Sequence, residues 1–146
     1  MAQASTKEVI KTVEDLYAKV PSLPTNARDF LYKVTPWVTL IVGILAILGS
    51  VSAFGLSAVF SPFAAMGGSA GFAAGLMIAA ALGIVEGVLM LVAFPSLRKG
   101  EMKGWNLLFW AEVLSLVSSV VLISLTGVVG SLIVFYLLFQ IKSYYK

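Results

Sequence analysis

Residues 70–94 read AGFAAGLMIAAALGIVEGVLMLVAF, and a single one of these 25 residues, Glu86, carries a charge. As a helix the stretch is about 37 Å long at 1.5 Å per residue, against a hydrocarbon core of about 30 Å. A helix that is apolar on every face over this length belongs in a bilayer. The sequence on either side agrees. Residues 36–60 hold no charge at all, and residues 105–141 hold one, Glu112. The second of these runs would be about 55 Å long as one helix, nearly twice the core, so it has to turn. Gly127 and Gly130, beside Thr126, mark the expected place. Four spans follow, at about 36–60, 70–94, 105–126 and 130–142. The expected fold is an all-α integral membrane protein with four transmembrane helices and an N-terminal amphipathic helix.

The composition of the whole chain points the same way. It has 146 residues, 60% of them hydrophobic and 12% charged. Its mean hydropathy is +0.99. A soluble domain carries about 25% charge. Cysteine and histidine are both absent from the sequence. That excludes disulfides, thiolate nucleophiles, iron–sulfur clusters and any metal, haem or acid–base site built on imidazole. The glycines have membrane spacing and no Lys-Ser/Thr pair follows them, so there is no phosphate-binding loop. Nor is there a Gly-x-Ser-x-Gly elbow, and a serine triad would have no histidine base. The reading is therefore a non-enzymatic protein without a cofactor.

Residues 1–33 form the polar leader, and residues 34–146 the membrane domain. In the leader Val9, Val13, Leu16 and Val20 recur at helical spacing, and Ser5 and Glu8 have the spacing of a capping box. This predicts an amphipathic helix from near Thr6, stopped by Pro21 and Pro24. It either lies on the membrane surface or folds against its own bundle. Glu8, Glu14 and Asp15 exclude a secretory signal. Ser61-Pro62 is the expected end of the first span, Pro95 that of the second. Arg28, Lys33, Arg98, Lys99, Lys103, Lys142 and Lys146 all flank one side of the spans, whereas the loops 61–70 and 126–130 carry no cation. By the positive-inside rule both termini are cytoplasmic, in what is expected to be a prokaryotic inner membrane. The cations form no dense run, so no nucleic-acid partner is expected.

Two features carry the functional expectations. Gly71, Gly75, Ala79, Gly83 and Gly87 repeat every four residues, and Gly43, Ala46 and Ser50 belong to a second small-residue strip that starts at Thr39. Such strips let helix backbones approach closely in lipid. The other feature is the pair of membrane acids. Glu86 lies nine residues before Pro95 and Glu112 eight after Gly104. Both are thus about 12–14 Å deep on adjacent antiparallel helices. Ser115 and Ser119 share the face of Glu112. With no Lys or Arg in the spans, at least one of these carboxyls should be protonated. The leading expectation is a structural or accessory subunit, packing through its small-residue faces in the lipid bilayer against itself or within a larger membrane complex. The competing expectation is a small proton- or cation-coupled transporter or channel that uses Glu86 and Glu112, acids that would otherwise be interhelical hydrogen-bond glue.

Overall fold

The structure is a computed structural model and describes residues 2–146, with side chains from Ala4 onward. Only Met1 of the expected leader lies outside the described residues. The described chain is helical: α1 (Ala2–Tyr17), α2 (Thr25–Met66), α3 (Ala70–Arg98), α4 (Met102–Val121) and α5 (Leu125–Ile141), followed by a single 3-10 turn, Lys142–Tyr144. Among the described residues four helices, α2 to α5, are long and apolar enough to cross a membrane. The protein is a helical membrane protein whose apolar faces, such as Ile41, Leu45 and Leu48 on α2, meet lipid.

The helices extend past the ends expected for them. Residues 25–35 are continuous with the first span, because Pro36 lies inside α2 instead of opening it. Pro62 does not stop α2 either. It removes the amide that would bond the Ala58 carbonyl, and the Ser61 hydroxyl donates to that carbonyl at 3.3 Å. Pro95 likewise sits within α3, which runs on to Arg98. α1 begins at Ala2, ahead of the expected cap at Ser5.

The turn between the third and fourth spans falls at 122–124, not at Gly127–Gly130. The three tight turns of the bundle share one design, in which a residue of positive φ closes the preceding helix. Gly68 (φ 74°), Gly100 (φ 69°) and Ile123 (φ 53°) take that place. In each, the next amide bonds the carbonyl five residues back: Ser69 to Ala64, Glu101 to Ser96 and Ser124 to Ser119, at 2.8–2.9 Å. Ser124 then caps α5 by accepting from the Gly127 amide at 3.2 Å. Gly127 and Gly130 are inside α5.

α2 and α3 form a close hairpin. A Cβ on Gly87 would lie 2.7 Å from the Gly43 carbonyl oxygen and 2.5 Å from Ile47 Cγ1, and one on Gly43 would lie 2.9 Å from Met90 Cβ. A Cβ on Gly83 would collide with Ser50. The spans differ in length, with 42 and 29 residues in α2 and α3 but 20 and 17 in α4 and α5. Gly75 sits beside Val121 at the end of α4, so the α2–α3 tip reaches further and leaves Phe60, Phe63, Met66 and Phe72 exposed.

At the opposite end the core is dense. Leu97, Trp105, Phe109 and Ile141 are fully buried. The Trp105 ring stacks on Phe109, and its indole N–H donates to the Leu138 carbonyl at 2.9 Å. The chain's end is tied in there too, as Lys146 N–H donates to Gly100 O and Met102 N–H to Lys146 O.

α1 packs along α4 and α5. Ile10 is buried in the core cluster, and Tyr17 stacks on Phe139 while its hydroxyl donates to the Leu132 carbonyl at 2.8 Å. Glu14 pairs with Lys142. The strap from α1 to α2 is held in turn. Tyr136 donates to Pro21 O, Leu23 N–H to Gln140 Oε1, and Arg28 to Gln140 O and the Ser143 hydroxyl.

Candidate functional site

The α3–α4 turn determines which residues meet at mid-bundle. Gly104 lets the first turn of α4 lie against the end of α3, where a Cβ would be 2.6 Å from the Leu97 amide nitrogen. The two helices then run antiparallel, so residues about equally far from the turn face each other. Glu86 on α3 is half-buried, and Glu112 on α4 is 5% exposed. The hairpin brings the carboxyls near enough to act on each other electrostatically.

A serine of the next helix lies near each acid: Ser115 of α4 near Glu86, and the buried Ser131 of α5 near Glu112. Tyr17 of α1 also faces Glu112. Burial first, and then the Glu112 carboxylate, pushes the Tyr17 phenol above its ordinary range. The sequence places no Lys or Arg between residues 34 and 97 or between 104 and 141. Neither acid has a basic neighbour on its own helix at this depth.

Glu112 also lines a cleft of about 230 Å³ between α2 and α5. Val38 and Val42 of α2 and Val134 of α5 form its rim and are 38–48% exposed. Met90, Leu108 and Leu138 are buried at its inner wall. Thr35 and Thr39 add hydroxyls from α2. Thr35 donates to the Leu31 carbonyl at 2.6 Å. Thr39 is 4% exposed and makes no side-chain hydrogen bond with the described residues.

The residues singled out from the sequence separate into groups. Glu86, Glu112 and Ser115 come together. Ser119 does not join them, because its hydroxyl bonds back to the Ser115 carbonyl at 2.9 Å. Gly43, Ser50, Gly83 and Gly87 meet one another inside the α2–α3 hairpin. Ala79 is buried on α3, Ala46 is half-buried on α2, and Gly75 faces Val121. Gly71 faces open space.

Two residues of the site were not singled out for it. Ser131 is the polar residue that follows Gly130, and the turn expected at Gly127–Gly130 puts it at a helix end. Thr39 had the spacing of a packing residue, and the structure turns it toward the cleft. The trans-helix pairing that joins them to Glu112 leaves no periodic mark in a single segment. No known protein family matches this chain, and comparison with curated proteins and with solved structures finds no similar protein.

Proposed function

We propose that the protein is a small proton- or cation-coupled membrane carrier whose working groups are Glu86 and Glu112. One observation carries this reading: two acids on adjacent antiparallel helices lie close enough inside the bundle to act on each other electrostatically, one of them buried, with a serine of the next helix near each. Ionising both in a low-dielectric interior is costly, so the pair is held together by a shared proton or by a bound cation. Exchange of one for the other is the elementary step of a coupled carrier. The titratable groups facing Glu112 are Glu86 from α3 and Tyr17 from α1, and neither supplies a positive charge.

The same reading places the basic end in the cytoplasm. Arg28, Arg98, Lys99, Lys142 and Lys146 surround the end of the bundle where the α3–α4 turn meets the chain's end. The positive-inside rule then makes both termini cytoplasmic, in a prokaryotic inner membrane. α1, with Ile10 and Tyr17 inward and Lys7, Glu8 and Lys11 outward, is an amphipathic helix docked at that end.

An accessory-subunit role is the second reading. Gly49, Gly55, Gly71 and Gly130 favour it, because their surroundings are open and another helix could lie close against them. The larger part of the small-residue strip, however, is taken up between α2 and α3.

Infrared spectroscopy and flux separate the two readings. The carrier should show a protonated-carboxyl band that titrates and disappears in the Glu86→Gln/Glu112→Gln double variant. In proteoliposomes with an outward proton gradient, external cations should draw protons out through the wild type and not through the variant. A band without flux, with assembly lost in the variant, would overturn the carrier reading in favour of the subunit.

A further inference from the structure

The cleft between α2 and α5 joins three properties that together specify a ligand. Its walls are hydrocarbon, its mouth at Val38, Val42 and Val134 opens on the lipid-facing surface, and the buried Glu112 is one of its lining residues. Beside that acid, Thr39 is almost fully buried without a hydrogen-bond partner among the described residues. A hydroxyl that lines an apolar cleft is best satisfied by a polar group that enters it.

We propose that this cleft is the binding site of an amphiphilic organic monocation. Its charged head lies against Glu112 and Thr39, and its small apolar body lies between α2 and α5. This rests on the carrier reading above and names its substrate class.

Charge and size select that class. Hard divalent cations take six or more oxygen ligands. The polar residues of the cleft lining are Glu112, Thr35 and Thr39, and the Thr35 hydroxyl already donates to its own helix. An organic ammonium surrounds its charge with its own carbon and needs fewer oxygens. A neutral lipophile would leave the shared proton in place and exchange with nothing, whereas a monocation replaces the proton one for one. An apolar cavity of about 150 Å³ accepts benzene. The 230 Å³ cleft therefore suits a single-ring or short branched body. Such a molecule partitions into the bilayer and reaches the rim from the side.

The test uses the full-length protein in nanodiscs, with benzyltrimethylammonium as the probe and its uncharged carbon isostere, neopentylbenzene, as the control. Calorimetry should show saturable binding of the cation and at least tenfold weaker binding in Glu112→Gln. Val134→Trp, which fills the mouth and leaves the acid untouched, should weaken binding similarly. It also decides the matter if Glu112→Gln fails to fold. Equal binding of the cation and the isostere, or cation binding unchanged in Val134→Trp, would overturn the proposal. Flux driven by sodium with no binding of the organic cation would overturn it while leaving the carrier reading intact. Cation binding that depends on Glu112 but moves no proton would uphold the site and overturn the carrier reading.

Discussion

Adding one methyl group at Gly87 tests the central packing claim. An alanine Cβ there would lie 2.5 Å from Ile47 Cγ1 and 2.7 Å from the Gly43 carbonyl oxygen, where ordinary contacts begin at 3.4 Å. The helices would have to separate by about 0.7–0.9 Å, and one of the two obstacles is backbone that no rotamer change can move. Overpacking of this kind costs about 1–3 kcal/mol. Alanine also has a better helix propensity than glycine by about 1 kcal/mol, which acts in the opposite direction. Gly55→Ala on the same helix pair isolates the propensity effect, since a Cβ at Gly55 meets nothing within 4 Å. The difference between the two variants is therefore about 1–3 kcal/mol, with Gly87→Ala the less stable. Equilibrium unfolding in mixed micelles with increasing dodecyl sulfate, followed by circular dichroism, measures it. Because Glu86 adjoins Gly87, proton flux should fall in Gly87→Ala and persist in Gly55→Ala. Equal stabilities within about 0.5 kcal/mol, the range of an ordinary surface change, would refute the close α2–α3 contact.

Three further outcomes are expected. Ile123→Gly should stabilise the protein by about 0.5–1 kcal/mol, because a β-branched residue now holds the left-handed position that closes α4 at a cost of about 1–2 kcal/mol, partly offset by glycine's greater freedom when unfolded, and the side chain lost is 91% exposed. A higher unfolding midpoint would show it, and a lower one would contradict the turn geometry. Gly100→Ala should destabilise by at least about 1–2 kcal/mol, since it combines a positive φ with a Cβ 2.7 Å from the Tyr32 hydroxyl. Docking of α1 should depend on burial more than on charge. Ile10→Ala should make Lys11 and Lys19 readily cut by trypsin, whereas Lys142→Ala should change cleavage little, because an ion pair whose Glu14 side chain is 45% exposed contributes about 0–1 kcal/mol. Greater cleavage in Lys142→Ala than in Ile10→Ala would reverse that ranking.

Among the described residues the helical fold was legible in single segments, because a membrane span announces itself by apolar length, and the chain has three such runs, one of them long enough for two spans. The ends of the helices were less so. Pro62 and Pro95 signal a stop in water, but inside a bundle the freed carbonyl finds another donor, as Ala58 finds Ser61. The missed turn has an equally local cause. The residue that closes α4 is Ile123, and nothing in its chemistry marks a left-handed position, while Gly127 and Gly130 are helical glycines.

For the acids, depth and rotation have different sources. That Glu86 and Glu112 lie at matching depth follows from counting residues on either side of a short turn, and the sequence alone determines it. Their serine neighbours do not follow from counting. Ser115 lies near Glu86 across the α3–α4 contact, and Ser131 of α5 lies near Glu112. The cleft needs a third helix, because its far wall is α2, and α2 is set in place by Gly43 against Gly87. Apolar length and charge placement are properties of one segment, and the bilayer acts on each segment separately. Which side chains share a cavity depends on the rotation of each helix about its axis, and only the packing of helix against helix fixes that angle.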